Sequence, residues 1–92
     1  MITIEKTRGT HFLIRAINHP IRLAIYNLLL EEEMTVLELQ IRLRRVQGSV
    51  SQHLAIMRKA NLVDYREEGL YNFYSINRDT SDIIINILKQ NS

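Results

Sequence analysis

The chain has 92 residues, 46% of them hydrophobic, with 12 Lys and Arg against 10 Asp and Glu and no cysteine. That length makes one domain, residues 1–92, and a domain so small hides only about 60–65% of its unfolded surface, so the apolar surplus favours an oligomer. Without cysteine there is no disulfide, thiolate metal site or thiol-based redox sensing; no apolar run approaches the ~18 residues of a membrane span, and Met1 to Thr10 holds Glu5 and no signal-peptide core, so a soluble cytoplasmic protein is expected.

Residues 12–18 read as the end of a first helix that starts near residue 6. The sole proline, Pro20, suits the first turn of a second helix and disfavours helical backbone in the residue before it. Residues 20–30 then place Ile21, Ala24, Ile25, Leu28 and Leu29 on one apolar face. Glu31, Glu32 and Glu33 oppose the dipole at a helix C-terminus and mark a stop with a solvated turn. Thr35-Val36-Leu37-Glu38 matches a capping box, so a short third helix should follow with Val36, Leu39 and Leu43 inward.

Residues 44–47 connect to a helix with two distinct faces. Taking 100° per residue, Val50, Leu54, Met57 and Asn61 fall in one stripe, and Gly48, Ser51, Gln52, Ala55 and Lys59 lie opposite. The second face is small, polar and free of acids, and such side chains let a helix approach base edges and hydrogen-bond to them. A surface helix made only for solubility is the alternative for this segment. The charge pattern bears on the choice: Arg42, Arg44, Arg45, Arg58, Lys59 and Arg66 stand against Asp64 alone in residues 42–66, a net +5, while the rest of the chain is −3. Cations gathered beside a polar helix are the footprint expected for a nucleic-acid backbone, with a merely solvated cluster as the alternative.

After Asn61 the periodicity changes. Residues 62–66 and 70–76 read as strands separated by Glu67-Glu68-Gly69, a three-residue loop whose Gly takes the left-handed position. Tyr74 and Ile76 share one face, and Phe73 and Ser75 the other. Asn77 to Thr80 supply turn and cap residues. A last helix, about 79–90, carries Ile83, Ile84, Ile87 and Leu88 as its apolar stripe. The fold class is α+β, mostly α, in the order α-α-α-α-β-β-α: a helix-turn-helix at about 35–60 followed by a hairpin wing at about 62–76, which is a winged helix.

At this point the chain resembles the ArsR-type winged-helix transcriptional regulators, of the branch that does not sense metals. His19-Pro20-Ile21-Arg22-Leu23-Ala24-Ile25 is similar to the family's "hPxRlxIl" opening, and Thr35-Val36-Leu37-Glu38-Leu39 to its "tvxEL" helix. Gln47-Gly48-Ser49-Val50-Ser51-Gln52-His53-Leu54 resembles the "sQsxVSxHL" recognition helix. Lys59 to Val63 resembles "xAGLV", and Arg66 to Gly69 with Tyr74 to Ile76 resembles the wing. Together these cover residues 12–77. The resemblance implies a homodimer on double-stranded operator DNA, usually repressing. It implies that the first and last helices, about 6–18 and 79–90, pair across the two-fold axis, with Phe12, Ile83, Ile84, Ile87 and Leu88 there. It implies base contacts from Gln47, Gly48, Ser51 and Gln52, and a wing on backbone or minor groove.

The expected DNA-binding set is therefore Arg44, Arg45, Gln47, Gly48, Ser49, Ser51, Gln52, Arg58, Lys59 and Arg66. The chain departs from the family's pattern at Arg44, where Gly is frequent, at Val46, where a Ser cap is usual, at Gly48, where Ser is frequent, and at Asn61, where Gly is frequent. Asn61 also tolerates the left-handed conformation. The family's metal sensors use cysteines on the third helix or Asp and His pairs on the last. This chain has no cysteine, and Asp82 stands on the last helix without a histidine. His19 reads as a turn residue and His53 as a packed, hydrogen-bonded one. No metal and no cofactor are expected.

Two other function classes remain beside the DNA-binding regulator. One is a winged helix used as a protein-interaction module without DNA binding, against which the +5 window counts. The other is an enzyme, for which there is no cysteine, no recognisable Ser–His–Asp context and no Gly-rich phosphate loop among three glycines.

Overall fold

The computed structural model describes residues 4–90, with side chains from His11 onward. Helix α1 (Ile4–Ile17) ends just before Asn18, and the backbone of His19 is extended ahead of Pro20. Helix α2 (Pro20–Glu31) opens with Pro at its first position, and the His19 Nδ1 accepts from the Ile21 N–H at 3.1 Å as the cap. The three glutamates end it as expected. Strand β1 (Met34–Thr35) follows, then α3 (Val36–Leu43), α4 (Gln47–Lys59), β2 (Val63–Glu68), β3 (Tyr71–Ile76) and α5 (Arg78–Gln90).

The capping box of α3 forms in full. Thr35 Oγ1 accepts from the Glu38 N–H, and Glu38 Oε1 accepts from the Thr35 N–H, each at 3.1 Å. At the other end of α3 the chain turns through Arg44 in the left-handed region, φ 55° and ψ 46°. Asn61 does the same just after α4, at φ 60°. It therefore lies past the helix and exposed rather than in the apolar stripe, which is completed instead by buried Ala60 and Leu62.

The antiparallel sheet has the order β1-β3-β2, with Met34 opposite Tyr74 and Val63 opposite Ile76. Two points differ from the sequence reading. Strand β1 was not expected: two residues carry no periodicity of their own and are strand only because they pair with β3. The hairpin loop is also shorter. Glu67 and Glu68 belong to β2, and Glu68 pairs with Tyr71 across the two-residue loop Gly69-Leu70. Gly69 has φ +61° and Leu70 has no positive φ, the pattern of a type II′ turn, whose twist suits the flanking strands.

The core lies between α1, α2 and α4, closed by α3, the base of the wing and α5. Val50, Leu54 and Met57 of α4, Leu39 of α3 and Ile25 of α2 are fully buried. So is Tyr26, which the amphipathic reading of α2 left out. A central helix buries a wider arc than one stripe. The Tyr26 hydroxyl has no hydrogen-bond partner among the described residues, and burial pushes its ionisation up. Ile84, expected at a dimer interface, is likewise fully buried within its own chain, because it points into the core where α5 packs on α1. Helix α5 is tied to the wing at its start. Asn77 Oδ1 accepts from the Thr80 N–H at 3.2 Å, and Thr80 Oγ1 donates to the Asn61 carbonyl at 2.6 Å.

Candidate nucleic-acid interface

Helix α4 buries Val50, Leu54 and Met57, and this alone turns its other side outward. Gln47, Gly48, Ser51, Gln52, Ala55, Arg58 and Lys59 are exposed, and Ser49 is half-buried. The helix begins at Val46, which offers no side-chain cap, and its first turn holds no acid. Val46 leaves the leading N–H groups of α4 without a side-chain cap, and exposed Arg44 and Arg45 precede them in the chain, a combination suited to an anion. Gly48 adds to this: among the described residues nothing lies within 4 Å of where its Cβ would stand, so none of them demands glycine there.

Arg44, Arg45 and Lys59 are exposed, and among the described residues no carboxylate pairs with them. Arg58 is different. Its guanidinium carbon stands 4.2 Å from the centroid of the Tyr65 ring, on strand β2 of the wing. The exposed groups of α4 lie on the side away from buried Val50, Leu54 and Met57, and form the candidate surface.

Arg66 is not brought into that surface. It alternates with Tyr65 along β2 and lies over the other face of the sheet, 4.6 Å from the Phe73 centroid. Its Nη2 meets Glu33 Oε1 at 2.6 Å, and its Nη1 pairs with Glu68. Both carboxylates raise its already high pKa. From the sequence Glu33 is only part of a helix stop. A pair between residues so far apart in the chain leaves no local signal.

Behind the interface, α4 is fastened to the first two helices through His53. Arg22 Nη1 donates to His53 Nδ1 at 3.2 Å, and Arg22 Nε donates to the Ala16 carbonyl. The His19 and His53 rings lie 4.5 Å apart. Accepting at Nδ1 requires a neutral imidazole. Burial first, then His19, Arg22 and Arg45, hold the His53 pKa below its ordinary value.

No described helix is long and apolar enough to cross a membrane. Residues 19–65 match the model of the bacterial regulatory protein arsR family. The chain is 35% identical over 88 residues to an HTH-type transcriptional regulator of Methanocaldococcus jannaschii, covering 95% of this chain and 99% of that one. It is 37% identical over 76 residues to the transcriptional activator HlyU of Vibrio cholerae, over 83% of this chain and 70% of that one. The solved structure of that HlyU superposes with a TM-score of 0.86 over 96% of each chain. The transcriptional repressor BigR of Xylella fastidiosa superposes at 0.80, with 26% identity, over 94% of this chain and 88% of that one. With the winged fold and the exposed polar side of α4 already in place, these matches make the chain a member of the ArsR family, a DNA-binding transcriptional regulator.

Proposed function

We propose that the protein is a homodimeric repressor that binds operator DNA through α4 and acts in the cytoplasm. The observation that carries this reading is the outer side of α4: Gly48, Ser51 and Gln52 exposed in line, with Arg44 and Arg45 before them and Arg58 and Lys59 after them, and no acid on the helix. Gln47, Gly48, Ser51 and Gln52 read base edges in the major groove. Arg44, Arg45, Arg58 and Lys59 meet phosphates, with Ser49 at the helix start. Arg66 serves this site as a brace between β2 and Glu33, since two carboxylates already meet its charge. A dimer seated on an operator blocks it by occupancy, so repression needs nothing beyond the interface itself.

The test is binding of the purified protein to genomic fragments it selects and to scrambled duplexes, at several salt concentrations. An amide pairs with adenine N6 and N7 together, so Gln52→Ala should cost about 1–3 kcal/mol on selected DNA and little on scrambled DNA. Arg45→Ala should weaken both alike and lower the salt slope by about one unit. A protein that shifts no duplex at low salt would instead be an interaction module. Equal losses on both duplexes for Gln52→Ala would mean that another side of α4 faces the bases.

A further inference from the structure

The wing of this chain is poorly equipped to hold a phosphate by itself. From Val63 to Ile76 its only cation is Arg66, beside Asp64, Glu67 and Glu68. That one cation is engaged by Glu33 and Glu68 and lies over Phe73. The opposite face of the hairpin is aromatic. Tyr65 and Tyr74 are paired across the strands, with ring centroids 5.6 Å apart and planes at 29°. Tyr74 is also packed against the core, so the pair is anchored from below. Arg58, in the last turn of α4, sits over the outer ring of that pair.

We infer that Tyr65 is a positioning residue for DNA binding: the wing acts on DNA through Arg58, which the Tyr65–Tyr74 shelf holds in place at the C-terminal end of the recognition helix. An exposed arginine samples many rotamers, and most of them point away from any one phosphate. A ring face under the guanidinium removes part of that freedom before DNA arrives. The ring covers one side of the group, and a guanidinium has five N–H donors, so those turned away from the ring remain available to a phosphate. The inference rests on the DNA-binding reading above and adds to it the route by which the wing contributes.

The experiment is a double-mutant cycle on a random-sequence duplex across a salt series, since a phosphate contact is independent of sequence. Arg58→Ala should weaken binding and lower the salt slope by about one unit. Tyr65→Leu should weaken binding about 2–5-fold, the worth of an exposed cation–π contact. Tyr65→Phe keeps the ring and should restore wild-type affinity. The Arg58→Ala, Tyr65→Leu double variant should bind no more weakly than Arg58→Ala alone. Equal factors from Tyr65→Leu with and without Arg58 overturn the inference, as does a Tyr65→Phe variant as weak as Tyr65→Leu. If Arg45→Ala weakens binding and Arg58→Ala does not, the inference fails while the DNA-binding reading stands. A second measurement needs no variant. Side-chain protons of Arg58 should show an upfield ring-current shift in the wild-type protein, free and on DNA. Unshifted resonances in both states overturn the inference even if Tyr65→Leu does not fold.

Discussion

Arg44 holds a conformation that favours glycine because it caps the C-terminus of α3, its N–H and that of Arg45 donating to the Gln40 carbonyl, while no carboxylate among the described residues pairs with its side chain. At φ 55° an L side chain costs about 1–2 kcal/mol relative to an ordinary region, part of which glycine gives back through the entropy of the unfolded chain. Arg44→Gly should therefore hold or raise stability, by up to about 1 kcal/mol, in chemical denaturation. The same variant should weaken binding to every duplex and lower the salt slope by about one unit. A clear loss of stability would show that the side chain, and not only its charge, supports the turn. His53 is a second residue whose role can be isolated. Its folded pKa lies below the ordinary 6.5, so between those two values the unfolded chain binds more protons than the folded one. The stability tied to neutral His53 is thus complete above about 6.5 and is lost as the pH falls through the folded pKa. His53→Gln keeps an acceptor for Arg22 and cannot titrate, so its denaturation midpoint should vary less between pH 7 and 5 than that of the wild type. Equal pH dependence in the two proteins would remove His53 from the account.

Helix α3 shows how far local chemistry alone can be read. Thr35 and Glu38 announce the box in the sequence, and the structure builds it reciprocally, with Thr35 buried. Thr35→Ala should cost about 0.5–2 kcal/mol, with Thr35→Ser close to wild type, both measured by denaturant unfolding. A cost shared equally by Thr35→Ser would assign the loss to the methyl group's packing. The outward side of α4 was legible for the same kind of reason, because the spacing of Val50, Leu54 and Met57 leaves one way for Ser51 and Gln52 to face. Strand β1 was not legible, since Met34 and Thr35 are strand only by virtue of Tyr74 and Phe73 on a distant segment. Glu67 and Glu68 read as loop because they are polar and precede glycine. Edge strand β2 carries them outward, and pairing runs on to Tyr71 before Gly69 turns the chain. Arg66 read as one more cation of the basic cluster, because strand alternation places it on the far face and Glu33 reaches it only in three dimensions. Charge can be counted along a chain, but which charges are already neutralised is a property of the fold.

At the scale of the whole molecule, several large apolar side chains stay exposed among the described residues, and those of α1 and α5 are the ones that pairing through the first and last helices would cover. Ile84 is spent on the chain's own core and Leu88 packs against it. The neighbouring side of α5 is less covered: Ile83 is 40% exposed, and on α1 Phe12 is 54% exposed. Two helices from the two ends of one small domain thus present large apolar side chains to solvent, as expected of a surface that pairs with its own copy. Sedimentation at micromolar concentration should give about twice the 10.8 kDa of the chain. Two recognition helices related by a two-fold axis read half-sites about 34–36 Å apart, so selected DNA should be palindromic at that spacing. Ile83→Glu puts a charge where the partner would lie while leaving Ile84 in its core. It should sediment as a monomer, melt cooperatively, and lose affinity for the two-half-site duplex far more than for a single half-site. That difference separates loss of pairing from loss of folding, because an unfolded variant would lose both. A wild-type protein that stays monomeric yet binds the palindrome tightly, or an Ile83→Glu variant that stays dimeric, would move the pairing surface away from α5.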